Sequence, residues 1–142
     1  MTWFLLAYHH ATYWLVGTSP EQHHYDLAMD WYALRRFRNC VDQCKKFLSY
    51  SDSDDIKSMM AYCYWALADW DAAVSTYRSL GNIWSEPAHA LRLAEAELRC
   101  GRSDEARKIV ATVEVSYPNP TSHVAIFLGY INKELDESAE AE

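Results

Sequence analysis

Six histidines and four cysteines are the side chains of this chain best suited to holding a metal or attacking a substrate. His9-His10 and His23-His24 are adjacent pairs, and neighbours on a helix point in different directions, so neither pair converges easily on one ion. No HExxH is present. Cys40 and Cys44 lie one helical turn apart and offer two ligands, yet no second pair stands at a spacing that completes a tetrahedral site. No CxxC occurs, and Cys40, Cys44, Cys63 and Cys100 each sit where a small apolar side chain would serve. These read as reduced, buried thiols of a reducing compartment, behaving as small hydrophobes. There is no GxSxG, no phosphate-cradling Gly-rich loop, and no acid pair that surface patterning leaves unexplained. The expectation is therefore no catalytic residue, no metal and no cofactor. An enzyme would instead show a deep polar pocket holding a perturbed His89 or Glu95.

The elements that carry these residues are bounded by composition. A chain of 142 residues is the size of one domain, and half of it is hydrophobic with only four Gly and four Pro. That is too apolar for disorder and too poor in turn residues for a many-stranded β fold, so helix is favoured. The net charge of −7 repels phosphate backbones and anionic membranes. The densest basic stretch, Arg35, Arg36, Arg38, Lys45 and Lys46, is interrupted by Phe37, Asn39, Cys40, Val41 and Asp42 and reads as a solvated helix face. No nucleic acid partner is expected. The apolar run from Met1 to Gly17 lacks a positive leader, is shorter than the ~20 residues of a spanning helix, and carries His9 and His10 at its centre. It reads as a packed or partner-binding helix of a cytoplasmic protein, with no membrane insertion.

Self-similarity is the strongest signal. Arg36-Phe37-Arg38-Asn39-Cys40-Val41 superimposes on 69–74 and on 102–107 at a constant spacing of 33 residues, from Cys40 to Ala73 and from Ala73 to Ala106, without a gap. The register brings further positions together: Leu27, Met60 and Leu93; Ala28, Ala61 and Ala94; Phe47, Leu80 and Val113. Large and small residues recurring in this order suit two antiparallel helices whose backbones approach closely. Each unit is thus a helical hairpin.

Punctuation supports this. Ser53 with Asp54 and Asp55, and Ser85-Glu86-Pro87, mark helix starts; Asp69 and Ser103 are placed to cap second helices; Gly101 stands where a left-handed residue ends a helix. Helices are expected at about 22–35, 38–49, 54–67, 70–81, 87–99 and 104–115. The organisation is an N-terminal apolar helix in 1–20, a domain over 21–135 with repeats at about 21–53, 54–86 and 87–120, a capping helix over 121–135, and a frayed acidic tail over 136–142.

The segments from Ala61 to Ala73 and from Ala94 to Ala106 resemble the core of tetratricopeptide repeats, a likeness that covers about residues 21–120 and is weaker in the first unit, where Cys40 and Cys44 depart from the family pattern. The resemblance implies an all-α fold of three tandem hairpins in a right-handed superhelix, with the first helix of each lining a concave groove that holds an extended peptide or a helix. In that register the groove residues are Tyr25, Met29 and Tyr32, then Ser58, Tyr62 and Trp65, then Leu91, Glu95, Leu98 and Arg99. Such aromatic and Met-rich surface implies an apolar ligand segment. The carboxylate clamp of co-chaperones is absent, since Tyr25, Met29, Met59 and Ala88 occupy its places and only Arg92 suits it. A further likeness is to translocator chaperones of type III secretion, which rests on Glu86-Pro87, Ala94-Glu95, Gly101 and Ala106 and implies self-association, here a homodimer through residues 1–17. Larger eukaryotic adaptors share the generic pattern. The alternative to a groove binder is a structural subunit of an assembly, packing through the N-terminal helix.

Overall fold

A computed structural model describes residues 2–141, and their regular structure is helical, with no strand among the described residues. The order is α1 (Thr2–Val16), α2 (Pro20–Ala33), α3 (Phe37–Leu48), α4 (Asp54–Ala66), α5 (Trp70–Arg78), a 3-10 turn at Ile83–Ser85, α6 (Pro87–Arg99), α7 (Ser103–Ser116) and α8 (Ser122–Ala141). Neighbours in sequence pack as antiparallel pairs. The chain divides into two compact units, Met1–Ala68 and Asp69–Glu142. In the first, α1 lies on α2, α2 on α3 and α3 on α4; in the second, α5 lies on α6, α6 on α7, and α8 on both α6 and α7.

Local chemistry sets the ends. The Ser19 and Ser53 hydroxyls accept from the Gln22 and Ile56 amides, capping α2 and α4. Ser85 does not cap: its hydroxyl donates back to the Asn82 carbonyl, and Glu86 precedes Pro87 at the start of α6. Neither Asp69 nor Ser103 caps through its side chain; Ser103 is the first residue inside α7, after Arg102. Helix α5 ends at Arg78 rather than near 81, where Ser79 donates its hydroxyl to the Thr76 carbonyl and the chain turns to bury Leu80 and Ile83. The acidic tail is helical to Ala141 instead of frayed. The Ser103 and Ser138 hydroxyls, 3.2 Å apart, and the Arg107 guanidinium, donating to the Leu135 carbonyl, hold that end of α8 to α7.

The period of 33 returns in the backbone. Arg35, Ala68 and Gly101 all have positive φ, at 57°, 57° and 79°. The residues after them, Arg36, Asp69 and Arg102, share φ near −90° and ψ near 70° (φ/ψ −90/69, −84/78 and −102/63). At the first and third of these turns the paired Schellman bonds are complete: Arg36 N to Trp31 O and Arg35 N to Tyr32 O, then Arg102 N to Glu97 O and Gly101 N to Leu98 O. Burial repeats as well, because Cys40, Ala73 and Ala106 are fully inaccessible, as are Ala28, Ala61 and Ala94.

The core of the first unit is built on Ala28, Cys40, Val41, Cys44, Ile56 and Cys63. Three thiols do the work of small hydrophobes there, with Cys40 and Cys44 Sγ 3.9 Å apart. In the second unit Tyr77, Leu91, Val113, Ile131 and Leu135 are fully buried. Among them lies one carboxylate with no exposed surface, Glu97 of α6, held by Arg78 of α5 and by Arg102 ahead of α7. Two guanidiniums on one carboxylate satisfy both oxygens, which is the condition for keeping such a charge out of water.

Candidate functional site

Helix α2 has two working faces. His23 and Asp30 turn toward α1: His9 Nδ1 lies 2.6 Å from Asp30 Oδ2, and the His23 ring stacks on Tyr13 at 4.1 Å. With about 100° of turn per residue, Tyr25, Met29 and Tyr32 fall within about 60° of each other on the far side of the helix. Helix α1 therefore leaves that side uncovered.

Tyr32 is the seed of an aromatic cluster. Its ring stands 5.5 Å from Tyr62 of α4 and 6.2 Å from Phe37 at the start of α3, while Phe37 and Tyr62 are 5.9 Å apart at 75°. Trp65, one turn beyond Tyr62, extends the row at 5.7 Å. These are the tilted, edge-to-face arrangements that aromatic quadrupoles favour. All four rings are half-buried. Tyr32, Phe37 and Tyr62, with Ala33 and Arg35, line an open pocket of about 250 Å³. That is just below the ~300–1,000 Å³ of small-molecule sites.

The expected groove residues divide accordingly. Tyr32, Tyr62 and Trp65 are brought together. Tyr25 and Met29 share their face but are more exposed, with Tyr25 turned to Phe47 at 6.2 Å. Ser58 returns its hydroxyl to the Asp55 carbonyl. In the second unit Leu91 is fully buried and presents no surface to a ligand, and Leu98 is half-buried. Glu95 is buried under α8, where the Tyr130 hydroxyl donates to it at 3.3 Å, and Arg99 donates to Tyr130 and lies 3.5 Å from Glu134. Glu95 and Arg99 of the expected groove are thus engaged by the chain's own α8. Phe37 and Arg35 were not among the residues singled out for the site, although the 33-residue register places Phe37 beside Trp70 as the first residue of a second helix.

Burial and close side-chain contacts shift several titratable groups. Burial, then the neighbouring His24 and His10, lowers the His23 pKa. Burial, then Arg92, lowers that of His89. For Cys40 the thiol contact with Cys44 has a lowering effect, but contact with Cys63 and burial outweigh it and push the thiol up to about 12. The Cys44 thiol is raised by its contact with Cys40 and by burial. Thiols so shifted are poor nucleophiles at neutral pH. Among the described residues no three His, Cys, Asp or Glu side chains are disposed to hold a metal ion, and no helix is long and apolar enough to cross a membrane.

A second apolar surface lies on α1, which contains no Asp, Glu, Lys or Arg. Trp14 and Leu15 are 81% and 83% exposed, and Trp3, Phe4 and Tyr8 are exposed as well. No family model matches the chain, and no curated protein matches it.

Proposed function

We propose that this chain is a tetratricopeptide-type adaptor or chaperone, its hairpins stacked in a right-handed superhelix, and that it binds an apolar segment of another protein. The carrying observation is the half-buried row Tyr32, Phe37, Tyr62 and Trp65, of which the first three line an open pocket, beside a core that Ala28, Cys40, Cys44, Ile56 and Cys63 already fill. Aromatic side chains held by their neighbours and open on one side present large contact area at low entropic cost, the property of interaction hot spots. The repeat reading is supported by the three positive-φ residues at 35, 68 and 101 and by the repeated burial of the small residues. Within this reading the chain acts in the cytoplasm without catalysis, and a translocator chaperone of type III secretion is the specific role its third repeat suggests.

The test pairs the wild-type chain with Tyr62→Ala, Trp65→Ala in pull-downs from native extract. A dominant partner captured by the first and lost by the second, with helicity nearly unchanged by circular dichroism, is the expected result. Undiminished capture by the double variant overturns the reading.

A second reading, a subunit that assembles through α1, is favoured by one observation. Phe4, Tyr8, Ala11 and Leu15 repeat at the 4-3-4 spacing of a coiled-coil seam and form an exposed stripe on a helix without charge. Sedimentation velocity would show a dimer that dissociates on Tyr8→Ser, Leu15→Ser; a monomer at all concentrations rejects it.

A further inference from the structure

The aromatic pocket of the first unit has a charged rim. Arg35 lines it, and Arg36 and Arg38 follow within three residues at the turn into α3. All three are exposed, and among the described residues none is in an ion pair, whereas Arg78, Arg99 and Arg102 of the second unit each engage a carboxylate. The first turn of α3 adds no acidic residue to offset them. The chain's negative charge lies elsewhere: residues 1–68 carry seven carboxylates against six Lys and Arg, and residues 69–142 carry thirteen against seven. A pocket of three aromatic rings is also the place to look for a bound cation. Here the guanidinium of Arg35 on the lining, with Arg36 and Arg38 next to it in the chain, would repel one, so the rim favours the opposite charge.

We infer that this pocket takes a bulky apolar side chain, Leu or Phe, from a partner segment whose flanking residues are acidic, with the side chain seated among Tyr32, Phe37 and Tyr62 and the flanking carboxylates meeting Arg35, Arg36 and Arg38. This rests on the aromatic cluster being a binding site and adds the chemistry of what it binds. Paired guanidinium–carboxylate contacts give geometry as well as attraction. Exposed pairs are individually weak, and three together give a preference of about tenfold at low salt, shrinking as salt screens them.

The test uses three fluorescein-labelled pools of eight-residue peptides with a central Leu-Phe and flanks of Asp, Ser or Lys, titrated by anisotropy against the whole chain. The Asp pool should bind about tenfold more tightly than the Lys pool at low salt. Arg35→Asn, Arg36→Ser, Arg38→Ser should bring the pools level without disturbing the fold, because Asn tolerates positive φ and Ser suits the helix start. Tyr62→Ala should weaken all three. Equal binding of the pools by the wild-type chain overturns the acidic preference while leaving the aromatic site standing. Preference for the Lys pool identifies a cation site and also overturns it. Asp-pool binding that ignores Tyr62→Ala, or that persists when Leu-Phe is replaced by Ser-Ser, reduces it to surface attraction. Binding of no pool rejects both the preference and the site. A wild-type dimer that dissociates in the arginine variant would assign the pocket to a second copy and overturn the partner segment.

Discussion

Arg35, Ala68 and Gly101 occupy the same left-handed turn, but only one of them is the residue that pays no steric cost there. A Cβ at Gly101 would meet nothing within 4 Å, so the penalty for a side chain is confined to the backbone. Ala68→Gly should therefore raise stability by about 1 kcal/mol, and Gly101→Ala should lower it by about as much, read from urea unfolding midpoints. Gly101 was legible as a helix stop because Gly announces one. Arg35 and Ala68 were not, since neither residue type signals a positive φ and only the 33-residue register ties them to Gly101. The same gap hid Arg35 as a wall of the pocket. His23 carries a second prediction at this scale. It is flanked by Tyr13 and His10 of α1 and by His24 and Asp26 of its own helix, and its pKa is lowered, so the folded state resists the proton that the unfolded chain accepts. That contribution is whole above the ordinary histidine value of 6.5 and is lost as pH falls from there through the depressed pKa. Urea midpoints should drop more between pH 7.5 and 5.5 in the wild-type chain than in His23→Gln.

At the level of elements, the helices expected from periodicity and caps are those observed, with ends moved where a tertiary contact outweighs local preference. Helix α5 stops early so that Leu80 and Ile83 reach the core, and α8 runs on because Ser138 and Leu135 are tied to α7. Of the candidate site, Tyr32, Tyr62 and Trp65 were readable because one helix face repeats with the hairpins. The fate of Glu95 and Arg99 was not, because a repeat shows which face two helices share but not which later helix returns to engage it. The Arg78–Glu97–Arg102 clamp joining α5, α6 and the approach to α7 offers a test at this scale. Glu97 is fully buried while both guanidiniums remain partly exposed. Stranding the carboxylate with Arg78→Ala, Arg102→Ala should cost about 3 kcal/mol, more than Glu97→Gln, which strands only side chains that can turn to water. Thermal unfolding of the two variants, compared side by side, checks the order.

Across the whole molecule, charge and thiols are unevenly shared. Most of the excess negative charge lies in residues 69–142, whereas the half-buried aromatic cluster lies in residues 1–68, with Arg35, Arg36 and Arg38, which are in no ion pair among the described residues. The thiols divide along the same line, with Cys40, Cys44 and Cys63 inaccessible in the first unit and Cys100 half-buried in the second, in contact with Asp71. This placement makes the chain its own clock. A maleimide added to the native protein should consume one thiol early and three late, the late ones only when the first unit opens, whereupon the raised pKa values of Cys40 and Cys44 relax toward those of free cysteine. The lag between the two phases measures how often residues 1–68 open, without a mutation or a denaturant, and a bound partner segment would lengthen it.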